Sequence, residues 1–88
     1  MYQIEYHKNV LKEINKLKEN NLDKKAKLLI EVLKTNPFQN PPPYEKLVGE
    51  LKEMYSRRIN IKHRLVYKVV EEEKKVQILS MWSHYENI

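Results

Sequence analysis

A chain of 88 residues without cysteine excludes disulfides and thiolate metal sites, and at this length one core buries only about 60–65% of the surface the unfolded form exposes. Lysine and arginine total 17 against 12 acidic residues, a net charge of +5, which favours a polyanionic partner such as nucleic acid but is equally compatible with ordinary solubility. No apolar run approaches the roughly 18–20 residues that span a bilayer, and no basic-then-apolar leader opens the chain, so the expected location is the cytoplasm without membrane contact.

Tyr2, Ile4 and Tyr6 alternate with polar residues and predict a half-buried strand over 2–6. From about residue 8 the period becomes helical. Val10, Leu11, Ile14 and Leu17 form the apolar stripe, with lysines filling the wet face. Asn20-Asn21 interrupts the pattern, and a second helix follows over roughly 23–35 with Ala26, Leu29, Ile30 and Leu33 on its inner face. Asp23 is the expected N-cap. So short a connection predicts an antiparallel helical hairpin.

Residues 36–46 carry Pro37 and then Pro41, Pro42 and Pro43. They are incompatible with a helix or an inner strand and read as a stiff, extended connector. Three strands follow within 51–60, 63–70 and 76–85, with Glu71-Glu72-Glu73-Lys74-Lys75 as a charged hairpin tip. The order βααβββ predicts one α+β domain over 1–88, an antiparallel sheet with a two-helix hairpin packed on one face and the other face free for binding.

Four features carry chemical potential. Arg57, Arg58 and Arg64 fall on adjacent strands. Guanidinium forks there can bracket a phosphodiester, or serve equally as cross-strand partners for Glu53 and the acidic tip. His84 near the chain end can act as a general acid near neutral pH, or be one more partly exposed polar residue. Glu45, directly after the proline run and Tyr44, can serve as a base on a stiff loop or remain a solvated charge. The aromatics Tyr44, Tyr55, Trp82 and Tyr85 suit base stacking or sheet filling, and Trp82 or Tyr67 is expected in the core. The three histidines, at 7, 63 and 84, have no paired ligand spacing, so no metal site is expected.

Order is more informative than any single feature. The runs Tyr55-Ser56-Arg57-Arg58-Ile59 and His63-Arg64-Leu65-Val66-Tyr67, a late His84-Tyr85 pair, and upstream Asn36-Pro37-Phe38 with Glu45 and Leu47 resemble the Txe/YoeB branch of the RelE/ParE toxin superfamily. The resemblance spans nearly the whole chain and is densest from Pro37 to Tyr85. Tyr55 stands where that branch commonly has tryptophan, and Glu86-Asn87-Ile88 extend beyond the His-Tyr pair. The resemblance implies a RelE-like fold and a type II toxin that cleaves messenger RNA in the ribosomal A site. Glu45 would be general base, Arg64 phosphate stabiliser and His84 general acid, with Tyr85, Arg57 and Arg58 contacting substrate. It also implies a partly disordered cognate antitoxin, frequent homodimers, and no cofactor or metal. Two alternatives stay open at this point: a basic module that binds without cutting, and a gyrase inhibitor on the same scaffold.

Overall fold

The computed structural model describes residues 1–48 and 53–82. Strand β1 (Gln3–Tyr6) runs into helix α1 (Lys8–Glu19) through His7, whose Nδ1 accepts from the amide of Asn9 at 3.3 Å and caps the first turn. Val10 and Leu17 of the expected stripe are buried and Ile14 is half-buried. Leu11, at the stripe's margin, stays exposed. The helix ends where Asn21 adopts a left-handed backbone (φ 58°), a conformation that asparagine tolerates.

Helix α2 (Asp23–Thr35) begins so soon after that turn that Leu22 already has helical backbone angles and no side chain caps the helix. Asp23 is therefore the first helical residue and not the N-cap, although its charge still suits the positive end of the helix dipole. Ala26, Leu29, Ile30 and Leu33 are all buried, as their spacing predicts. They join Val10 and Leu17 over Leu65, Tyr67, Val76 and Ile78 in one apolar cluster. Among the described residues no helix is long and apolar enough to cross a membrane.

Past Asn36 the chain leaves the helix in extended conformation, and Pro37 is buried. The connector reaches a two-residue strand, β2 (Glu45–Lys46), which sits at the sheet's edge. Position at an edge is what the prolines allow, since they supply no N–H to a ladder. Strands β3 (Met54–Arg58), β4 (Arg64–Val70) and β5 (Lys75–Ser80) complete a five-stranded sheet ordered β1-β5-β4-β3-β2 among the described residues. The α+β class with its helical hairpin stands, but the sheet is mixed. β1 lies parallel to β5, with Gln3 opposite Lys75 and Tyr6 opposite Ile78. Alternation of apolar residues reveals a strand's faces, not the direction of its neighbour. Here the path through both helices and across to the far edge sets that direction. The last strand ends at Ser80 and Met81-Trp82 form a bend, while the rest of the expected range to Tyr85 lies outside the described residues.

The acidic run at the β4–β5 tip forms a 3-10 turn, Glu71–Glu73, closed by Lys74 in the left-handed region (φ 51°). Tyr2 donates its hydroxyl to Glu71 at 2.8 Å, tying the start of the chain to this tip.

A bulge changes the parity of β5. Val66 pairs with Ser80 but Tyr67 with Ile78, leaving Leu79 as the extra residue. Val76 and Ile78 therefore face the helices, and Ser80 shares the opposite face with Val66. Leu65, Tyr67 and Met81 pack in the core as strict alternation predicts, whereas Leu79 does not, and Ile78 takes its place. Alternation counted along the sequence cannot register an inserted residue that leaves no glycine or proline signal.

Candidate functional site

Strand pairing brings the candidate residues together. Glu45 on β2 lies opposite Ser56 on β3, Ser56 opposite Val66 on β4, and Val66 opposite Ser80 on β5. One pair along, Arg58 lies opposite Arg64. Because residues two apart on a strand share a face, Ser56, Arg58, Arg64 and Val66 all occupy the face turned away from the helices. Pro43, Tyr44, Glu45, Ser56, Arg58 and Arg64 line a cleft of about 280 Å³ there. Arg58 and Glu45 are exposed and Arg64 is half-buried. A carboxylate thus stands across the cleft from two guanidinium groups, a pattern that can accept a proton on one side and grip an anion on the other.

A larger depression of about 580 Å³ lies between Phe38, Tyr55 and the β4–β5 tip, lined also by Glu53, Glu71, Glu72 and Lys68. Among the described residues its lining sets three carboxylates against one lysine, a balance that opposes a phosphate. The smaller cleft is therefore the better match for a phosphodiester, despite its size.

Arg57 goes elsewhere. Adjacent residues on a strand point to opposite faces, so the double arginine cannot enter the cleft as a pair. Arg57 is only 1% exposed and turns toward the helical side. Its Nη1 donates to the carbonyl of Pro42 at 2.5 Å and its Nη2 to that of Pro37 at 3.0 Å, while the guanidinium lies 5.1 Å from the Tyr44 ring and 6.0 Å from that of Tyr67. The expectation that Arg57 contacts RNA phosphate is corrected: a buried group clamped to two carbonyls is inaccessible to a polyanion. The parity of β3, with Arg57 between Ser56 and Arg58, was the signal that could have revealed this.

The aromatic residues divide in the same way. Tyr67 is fully buried and donates its hydroxyl to the Pro37 carbonyl at 2.8 Å. Tyr55 stacks on it at 5.6 Å, and Phe38 and Tyr44 meet Tyr55 edge-on at 5.3 and 5.9 Å. These rings build the support beneath the connector, and of them Tyr44 also reaches the cleft. Trp82 is half-buried, packs against the core and stacks on His63 at 4.0 Å. His63 is itself buried, and its Nδ1 contacts the Trp82 carbonyl. Sequence reasoning missed this role for His63, because a stacked pair 19 residues apart leaves no periodic trace. His84 and Tyr85 lie outside the described residues.

Burial pushes the Tyr67 hydroxyl up to about 12, partly opposed by the Arg57 charge beside it. Ultraviolet titration of the native protein should show one tyrosine ionising near pH 12, and Tyr67→Phe should remove that step. An exposed tyrosine ionises near pH ~10, so between those values the unfolded chain has lost a proton the native state retains. The associated stability is complete below pH ~10 and is lost as pH rises toward the native value. A titration with no late step would contradict the burial.

The solved structures define the class first. The YoeB–YefM complex from Staphylococcus aureus contains a chain 31% identical to this one, covering 97% of this chain and 99% of that chain with a TM-score of 0.79. The YoeB dimer from the same organism is 30% identical, covering 96% and 98%, with a TM-score of 0.80. Two helices over a mixed five-stranded sheet are thus the YoeB/RelE toxin fold. The toxin YoeB of Synechocystis sp. is 36% identical over 63 residues, 72% of this chain and 71% of that protein. The model of the YoeB-like toxins of bacterial type II toxin–antitoxin systems matches residues 1–85. The chain belongs to this family and is a type II toxin.

Proposed function

We propose that this toxin is a ribosome-dependent endoribonuclease that cuts messenger RNA in the ribosomal A site through the 2′-hydroxyl. The observation that carries this reading is the cleft in which Glu45 faces Arg58 and Arg64. A ribose hydroxyl becomes a nucleophile only as a base removes its proton, and Glu45 is the carboxylate available there. A positioned base contributes about 10²–10⁴-fold. As the 2′-oxygen attacks, the phosphorane gathers negative charge, which Arg64 offsets in its half-buried position. Arg58 holds the neighbouring phosphate. The bond to the 5′-oxygen then breaks, and His84 supplies the proton that this leaving group takes up. The products are a 2′,3′-cyclic phosphate and a 5′-hydroxyl. Tyr85 orients the substrate beside His84, and the ribosome supplies most of the alignment of attack and departure.

The S. aureus YoeB–YefM complex and YoeB dimer support a cognate antitoxin as the silencing partner and a homodimer as an assembly of this chain. Action on translating ribosomes places it in the cytoplasm.

The test is cleavage on programmed ribosomes with analysis of the RNA ends. Wild type should give cyclic or 3′-phosphate ends and 5′-hydroxyls. His84→Ala should slow the reaction by about 10²-fold or more, and wild-type cleavage by that variant would remove the acid assignment. Tight binding without cut RNA would indicate a binding module instead. DNA damage signalling without loss of mRNA would point to gyrase.

A further inference from the structure

The connector that delivers Glu45 makes only local bonds of its own among the described residues, such as those from the Phe38 amide to Asn36 Oδ1 at 3.0 Å and from the Gln39 side chain to the Pro41 carbonyl at 3.2 Å, and these do not tie it to the sheet. Pro41, Pro42 and Pro43 have no amide hydrogen, so hydrogen bonds can tie this stretch to the rest of the fold only through its carbonyls. The strand that follows is two residues long and at the sheet's edge. Beyond it, the amide of Leu47 donates to the Met54 carbonyl at 2.9 Å. So short a ladder gives little resistance to sliding or lifting of the segment that carries the carboxylate.

Arg57 supplies the missing donors. Its fork reaches two carbonyls five residues apart in the connector, Pro37 at 3.0 Å and Pro42 at 2.5 Å, and Tyr67 adds a second donor to Pro37 at 2.8 Å. The guanidinium also faces the ring of Tyr44, the residue directly before Glu45, at 5.1 Å. Along β3, Arg57 follows Ser56, the register partner of Glu45, and precedes Arg58. One side chain therefore couples the cleft's arginine-bearing strand to the loop on which the carboxylate sits.

The energetics point the same way. Among the described residues no carboxylate pairs with Arg57, and its Nε is buried without a hydrogen-bond partner. Burying a guanidinium that is balanced only by carbonyls and ring faces carries a large desolvation cost. An apolar side chain of similar volume would fill the same space without it. What the apolar side chain lacks is the ability to hold two carbonyls at a fixed separation.

We propose that Arg57 is a positioning residue, which clamps the proline connector so that Glu45 is held at the cleft opposite Arg58 and Arg64. The inference rests on Glu45 acting as the base. Arg57 touches no substrate, and its effect passes through the carboxylate.

The experiment is a double-mutant cycle on the full-length protein, reading single-turnover and steady-state cleavage of mRNA on programmed ribosomes. Arg57→Lys keeps the charge but cannot span both carbonyls. It should lower kcat by about 10- to 100-fold, the range for an angstrom-scale misplacement of a reacting group, with KM changed by less than about threefold. In the Glu45→Gln background the same change should cost less than about threefold, because a base already removed cannot be misplaced. An equal loss in both backgrounds would overturn the proposal and leave Arg57 with a role in folding alone. Wild-type kcat in a folded Arg57→Lys protein would overturn it too. If Arg57→Lys does not fold, Tyr67→Phe, which removes one of the two donors at Pro37, takes its place in the cycle with the same readings. A wild-type rate for Glu45→Gln alone is a distinct result. It would overturn both the base assignment and the clamp built on it.

Discussion

Replacing Arg64 with alanine should slow cleavage on programmed ribosomes by about 10²–10³-fold, the usual effect of removing one preorganised donor from developing anionic charge. The side chain begins β4, opposite Arg58, and is half-buried beside the cleft shared with Glu45 and Ser56. Partial exclusion of water there strengthens the interaction between a guanidinium and a pentavalent phosphate. The ground-state phosphate carries less charge than the transition state, so the loss should fall on kcat more than on KM. Arg64→Lys should recover part of the rate, since the charge survives but the two-pronged geometry does not. Arg58→Ala should behave differently, raising KM and flattening the salt dependence of binding, because the proposed role of its exposed side chain is to hold a phosphate that does not react. Equal kinetic signatures for the two arginines would contradict their division of roles.

Glu45→Gln should reduce the rate by about 10²–10⁴-fold while leaving affinity for the ribosome close to that of wild type. Glutamine keeps the shape of the side chain and its hydrogen-bonding reach, but it cannot accept the proton of a 2′-hydroxyl. Glu45 is exposed on a two-residue edge strand, so the substitution should change stability by no more than about 0.5 kcal/mol. Melting curves that superimpose, together with lost cleavage and retained ribosome binding, would separate a chemical role from a structural one. Expression of this variant should no longer arrest growth. Growth arrest at the wild-type level would favour the alternative in which the toxin binds without cutting.

How far these sites were legible in the chain depends on the kind of interaction that builds them. The stripe of α2 was readable because Ala26, Leu29, Ile30 and Leu33 recur with the helix and are buried together. The β4–β5 tip was readable because five consecutive charged residues cannot sit in a core. Arg58 and Arg64 were readable as candidate phosphate contacts, and strand pairing sets them side by side on one face. Residue type does not distinguish Arg57 from Arg58: two neighbouring arginines look alike in sequence, yet a strand sends them to opposite faces. The bulge at Leu79 is hidden in the sequence for a related reason, since one inserted residue changes every later face without any compositional sign.

Glu45, singled out in the sequence by its place just after the proline run, shows the division most clearly. The chain alone determined that a carboxylate follows a proline run too stiff to form a helix and too poor in donors to enter an inner strand. It determined the two helices, the charged turn and the family resemblance as well, because each depends on local periodicity or on a contiguous motif. The tertiary structure alone decided that β1 runs parallel to β5, that the connector ends in an edge strand beside Ser56, and that Arg57 grips the connector's carbonyls from within. Those features arise from contacts between residues far apart in the chain, where direction, register and burial are set by packing and leave no period for the sequence to display.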